Sequence, residues 1–154
     1  MNARGRTLLA IFGWWNIAFA LLHVVIIVWG AGGYRYFGAG EGMARAVEAG
    51  SSRPAVITGL LTLMFVLWGL VAFSAAGIGR RVGIAKYAVV LIGVLYILRG
   101  VLAGPQAVWM YQHPDQVPLR FVLFSLVALG LGIIGLWGVS LVWRDSGLAV
   151  ARPA

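Results

Sequence analysis

The chain has 154 residues, the length of one domain, yet 62% of them are hydrophobic and only 10% are charged, which takes it outside ordinary water-soluble folds. It has no cysteine, so a disulfide framework, a thiolate metal site and a thiol nucleophile all drop out. Its formal net charge of +8 is scattered at the ends of apolar runs rather than gathered into one stripe, which argues against a nucleic-acid partner.

Crossing a hydrocarbon core takes about 20 helical residues at roughly 1.5 Å each. Four stretches are long and apolar enough: residues 7–30, 54–77, 86–104 and 118–143. None alternates as barrel strands do, and backbone groups in lipid must be satisfied within their own segment, so all four are expected to be helices. The expected fold is all-α, an integral-membrane four-helix bundle of two hairpins, forming a single transmembrane domain over residues 1–154.

The first run follows Arg4 and Arg6 and exceeds the roughly 7–15 apolar residues of a cleavable signal, so it reads as a true span. At helical spacing Gly13, Asn16, Ala20 and His23 fall on one stripe, with Asn16 and His23 about two turns apart. Small and polar residues sharing a face mark the side that packs inward. The run stops at Gly30, Gly32 and Gly33. Beyond it, residues 41–49 form an amphipathic pattern, with Met43, Ala44 and Val47 on one side, Glu41 and Arg45 as an i,i+4 pair, and Gly50 as a stop. A short helix at the outer interface is expected, preceded by Tyr34, Tyr36 and Phe37 at headgroup level. The glycines here are not a phosphate loop, since no strand precedes them and no Gly-Lys-Ser/Thr is present.

Ser51, Ser52 and Pro54 make a natural start for the second span, whose Thr58, Thr62, Phe65, Gly69, Ala72 and Ala76 lie on one stripe of mostly small residues. The third span carries the most expensive residue in the chain, Arg99, 13 residues beyond Lys86 and so roughly 20 Å along the helix. A basic side chain at the bilayer centre costs about 2.5–3.5 kcal/mol on insertion scales, less where it can snorkel outward. Gly104 and Pro105 place an exit close by, and Tyr96 precedes Arg99 on nearly the same face. Residues 104–118 read as polar and turn-rich, with Trp109 and Tyr111 as interface anchors, His113 in water and a turn at Pro114-Asp115. The fourth span, with Gly130, Gly132, Gly135, Gly138 and one interior hydroxyl at Ser125, reads as a packing helix.

With the N-terminus inside, Arg4, Arg6, Arg80, Arg81, Lys86, Arg144 and Arg152 face the cytoplasm, against Arg35, Arg45, Arg53 and Arg120 outside. This positive-inside bias places both termini in the cytoplasm of a multi-pass inner-membrane protein. A weak twofold pattern accompanies it: the first helix of each half ends at glycine (Gly30, Gly104), and the second begins at proline (Pro54, Pro118) and later carries Leu-Trp-Gly.

The two outward hairpins, the short helix between the first two spans, and the basic exit Ala75-Ala76-Gly77-Ile78-Gly79-Arg80-Arg81 resemble the layout of the DoxX-like group of small four-helix membrane proteins. The resemblance covers roughly residues 10–103. It implies a functionally mixed group in which some members are similar to quinone-linked oxidoreductase subunits. His23 stands in the region where many members carry a lysine.

The candidate ligand-binding residues are Asn16, His23, Tyr96, Arg99 and Glu41. A histidine, a phenol and a guanidinium at similar depth suit an anionic or quinone-like headgroup, with residues 41–49 as a roof over an outer-leaflet pocket. The competing reading satisfies each group separately: His23 bonded to a neighbouring helix, Asn16 as interhelical glue, and Arg99 paired with Glu41, Glu48 or a lipid phosphate. A bis-histidine haem needs a second histidine at membrane depth, and protein-built zinc fails on ligand count, so neither a haem nor a metal site is expected. The four acids lie outside the spans, which leaves His23 as the one neutral-pH switch within them. The expected function is non-enzymatic binding of a lipid, quinone or small amphipathic anion. Alternatives are an accessory or assembly subunit with a membrane-protein partner or a second copy, and a lipid-headgroup enzyme or small transporter.

Overall fold

The computed structural model describes residues 2–113 and 118–150, with side chains as far as Arg144. Every regular element among them is a helix: α1 Ala3–Trp29, α2 Ala31–Phe37, α3 Glu41–Glu48, α4 Arg53–Ala75, α5 Ala85–Val101, α6 Ala103–Gln112 and α7 Leu119–Val150. Four stretches are long and apolar enough to cross a membrane: Ala3–Trp29, Arg53–Ala75, Ala85–Gln112 and Leu119–Arg144.

Several boundaries differ from the sequence reading, each for a local reason. α1 starts a turn earlier than residue 7 because the Asn2 side chain accepts the Arg4 amide at 3.0 Å and its carbonyl accepts the Arg6 amide at 3.1 Å, capping otherwise orphaned donors. α2 fills a stretch read only as aromatic headgroup residues. The largest difference lies at residues 103–112, which form α6 where a polar, turn-rich connection was expected. Pro105 falls in the first turn of α6, where its missing donor has no partner to lose, and Leu102 keeps helical dihedrals between α5 and α6. The turn expected at Pro114-Asp115 lies outside the described residues.

The chain forms two compact units, Met1–Trp14 with Trp68–Ala154, and Trp15–Leu67. In the first unit α5 and α7 run antiparallel in close contact. A Cβ added at Gly100 would lie 2.5 Å from the Leu129 Cα, and one at Gly132 would lie 2.9 Å from the Gly93 carbonyl oxygen, so the two backbones touch where side chains are absent. The start of α1 packs on the end of α7, with Gly138 against Leu8 and Leu9 and Gly135 against Phe12. Arg6 Nε donates to the Ala76 carbonyl at 2.9 Å, just past the end of α4, and Tyr87 near the start of α5 lies 5.4 Å from Trp143 near the end of the fourth candidate span. One end of this unit therefore gathers the start of α1, the end of α4, the start of α5 and the Trp143 region of α7.

In the second unit the later half of α1 runs against the early half of α4 through Phe19–Phe65 and His23–Phe65 ring contacts at 5.7 and 4.9 Å. Ile26, Tyr34 and Ala44 make a buried cluster that joins α1, α2 and α3, with Leu22, Met43 and Val47 packed around it. α3 stops as its sequence implies. Gly50 takes φ +76°, and the paired bonds Ser51 N–H to Ala46 and Gly50 N–H to Val47 close a Schellman turn.

Candidate functional site

The five candidate residues divide between the two units. Tyr96 and Arg99 lie on α5 in the first unit. Tyr96 is 7% exposed and lies edge-on to Phe12 and Trp68, at ring separations of 5.6 and 5.8 Å. Arg99 turns to α7, where Nη1 donates to Ser125 Oγ at 2.5 Å. Ser125 is fully buried, and its Oγ also lies 2.6 Å from Gln106 Oε1 and 3.1 Å from its own-helix carbonyl at Phe121, so its single proton serves one of those acceptors at a time. Gln106 follows Arg99 by seven residues, about two turns, and because α6 continues α5 both present toward the same hydroxyl. The result is a three-residue polar cluster of guanidinium, hydroxyl and amide within the candidate spans Ala85–Gln112 and Leu119–Arg144.

The continuation of the helix changes the position of Arg99. It stands 14 residues from Ala85 and 13 from Gln112, near the midpoint of a 28-residue helical stretch, rather than beside an exit. Among the described residues no carboxylate pairs with it; its partner is neutral. A guanidinium offers five N–H donors in a fixed fork and accepts none.

Asn16, His23 and Glu41 lie in the second unit. Asn16 is fully buried on α1. His23 is half-buried, stacks obliquely on Phe65, and has Nδ1 2.7 Å from the Phe19 carbonyl one turn earlier. A carbonyl only accepts, so Nδ1 carries the proton and Nε2 is the free position of the neutral ring. Glu41 is committed to an exposed ion cluster. Arg35 grips it with Nε and Nη2, each at 2.9 Å, and grips Glu48 with Nη1 and Nη2 at 2.7 and 3.1 Å, a two-sided fork. Arg45 Nε adds the expected i,i+4 contact at 3.2 Å. The Arg35 hydrogen bonds hold the Glu41 carboxyl down to about 2 from an ordinary 4.5 and lower that of Glu48, and the two carboxylates raise Arg35 further.

Four groups have surroundings that the sequence does not show. Ser125 was taken for a packing residue; its signal was its standing as the one interior hydroxyl of an apolar run. Gln106 was placed in a loop, so its two-turn spacing from Arg99 carried no meaning. Tyr34 is 1% exposed, packed with Ile26 and Ala44, and its hydroxyl has no hydrogen-bond partner among the described residues. His113, read as solvated, instead stacks on Trp109 at 4.5 Å with Nδ1 buried and without a described partner.

Four long apolar helices, with Leu21, Val28, Leu60, Leu91 and Leu98 each more than half exposed along them, are compatible with one broad class, a multi-pass membrane protein. Within that class, comparison with family models, curated proteins and solved structures finds no match to this chain.

Proposed function

We propose that this is a non-enzymatic multi-pass inner-membrane protein that binds an amphipathic anion, whether a lipid, a quinone-like molecule or a small acid, at Arg99. The observation that carries the reading is the Arg99–Ser125–Gln106 cluster: a permanent cation midway along an apolar helix, held by a neutral hydroxyl with no described counter-charge. An intramembrane ionisable residue without an acid partner gains most from an anionic headgroup, which supplies the missing charge and accepts the remaining guanidinium donors. The cluster is built for binding rather than for chemistry. Its hydroxyl faces a guanidinium and an amide, and neither is a base that activates a nucleophile.

The test is to purify the full chain in mild detergent and identify what it retains by organic extraction and mass spectrometry. A retained acidic lipid, quinone or other amphipathic anion is expected, lost in Arg99→Gln and reduced in Ser125→Ala, with circular dichroism confirming helix content in both variants. Equal retention by the wild type and Arg99→Gln would remove the basis for this reading.

A further inference from the structure

The outward face of the α5–α6 stretch carries a pattern that the fold leaves without a neighbour. Leu91, Leu95, Leu98, Leu102 and Trp109 are all exposed, from 43 to 62%. Their spacing of four, three, four and seven residues is that of a heptad seam, with Leu95, Leu102 and Trp109 at a, Leu91 and Leu98 at d, and Pro105 at the remaining d. Leu102 keeps helical dihedrals between α5 and α6, so the seam runs on through the candidate span Ala85–Gln112. Arg99 and Gln106 then occupy successive e positions at the edge of the seam, and Arg99 is itself exposed. One Arg99 N–H goes to Ser125 Oγ, which leaves the rest of its fork for another acceptor.

In a coiled pair of helices the a and d residues pack, and charges at e and g choose the partner. Lipid tails are as apolar as leucine, so the seam gains only from close packing, and its polar edge decides what docks. A second copy is a poor fit. In a parallel pair e faces the partner's g, and g is Val94, Val101 and Val108; in an antiparallel pair e faces e, which is Ile92, Arg99 and Gln106. Neither arrangement brings a carboxylate to Arg99, and none of Glu41, Glu48, Asp115 and Asp145 falls within a candidate span. A lipid headgroup reaches mid-span only by leaving its interface, whereas a helix holds a carboxylate at any depth.

We propose that this face docks a transmembrane helix of another membrane protein, one with an apolar heptad seam and a Glu or Asp at mid-span that pairs with Arg99. The inference rests on the preceding reading in taking Arg99 as an anion site, and it assigns the anion to a partner helix rather than to a free amphiphile. Carboxylate suits the donor, because its two oxygens match paired N–H groups of the guanidinium fork. Pairing also removes the cost of two separate charges in the span, one on each protein.

The experiment uses the full chain in phosphatidylcholine vesicles, with synthetic leucine-rich transmembrane peptides that carry Glu, Gln or Leu at the central position. Energy transfer from the chain's tryptophans to a dansyl group on the peptide reads association. The Glu peptide should bind about tenfold more tightly than the Leu peptide, the scale of one interhelical polar contact, with the Gln peptide between them. Arg99→Gln should bring the Glu and Leu peptides to within about twofold of each other. Leu95→Ala with Leu98→Ala, both exposed, should weaken all three peptides alike, and Arg80→Gln should change nothing. Circular dichroism checks helix content in each variant. A Glu preference that is absent, or equal in wild type and Arg99→Gln, overturns the proposal, as does self-association through the seam that excludes every peptide. Organic extraction of the same preparations separates the two readings. An amphiphile lost in Arg99→Gln with no peptide preference keeps the anion site and overturns the helix partner; peptide preference without a retained amphiphile supports the helix partner over the free ligand.

Discussion

Arg35 shows how one side chain organises a segment that its neighbours leave open. α2 and α3 are short, at seven and eight residues, well under the length at which isolated helices persist in water. The fork from Arg35 to Glu41 and Glu48 ties them together, with the buried cluster of Ile26, Tyr34 and Ala44 beneath. Because the folded Glu41 carboxyl lies at about 2 against an ordinary 4.5, the fork's contribution is fully present above about pH 4.5 and disappears as pH falls toward 2. The charged groups are about half exposed, so the effect is small and screened by salt. The stability difference between wild type and Arg35→Gln, measured by thermal unfolding at low ionic strength, should therefore be open at pH 6 and closed near pH 2. The ion pair Glu41–Arg45 was legible from its i,i+4 spacing. The fork was not, because it depends on the reversal at Gly38–Gly40, which no helical periodicity encodes.

At the level of elements, helix identity followed from apolar length, and contact followed from glycine. The last span reads as a packing helix from its glycines, but those glycines are not equivalent. Gly132, Gly135 and Gly138 are in close contact, whereas a Cβ at Gly130 meets nothing within 4 Å. Gly100, near the end of α5, is the tightest, since its added Cβ would strike the Leu129 backbone, which cannot swing aside. Gly100→Ala should destabilise the protein by about 1–3 kcal/mol in a denaturation experiment in detergent, the range for overpacking a close contact. Gly130→Ala should be neutral or slightly stabilising through helix propensity. Equal behaviour of the two would show that the α5–α7 approach is not as close as described. What composition concealed was α6. Gly104 and Pro105 carry strong turn signals, yet a proline in a first turn is also a helix start, and sequence alone gives both meanings to the same pair.

For the whole molecule, the charge pattern and the contacts of the first unit agree on one point. Arg6, the Ala76 carbonyl, Tyr87 and Trp143 meet at one end, so the start of α1, the α4–α5 connection and the Arg144 region of α7 lie together. The absence of cysteine makes this directly measurable. Single cysteines at Arg4, Arg80 and Arg144 should all react with a membrane-impermeant maleimide from the same side of sealed vesicles, whereas Ala39→Cys should react from the other side on a four-span reading. Labelling of Arg4→Cys and Arg144→Cys from opposite sides would contradict the contacts at this end. The candidate site was legible only in part. Arg99 stood out because its cost in an apolar run is large, but its partners Ser125 and Gln106 required the α5–α6 continuity to be seen.

The first unit is also discontinuous in sequence, and this bears on the order in which the protein is made. Leu9 and Phe12 emerge early in synthesis, but the glycines that cover them, Gly135 and Gly138, emerge more than 120 residues later. Domains generally fold as units during translation, N-terminal parts first. Here the first half of α1 can meet Ala76 and Tyr96 earlier but must wait for the last helix to complete its packing, so a ribosome stalled before α7 would hold a nascent chain whose opening turns are still without their final neighbour.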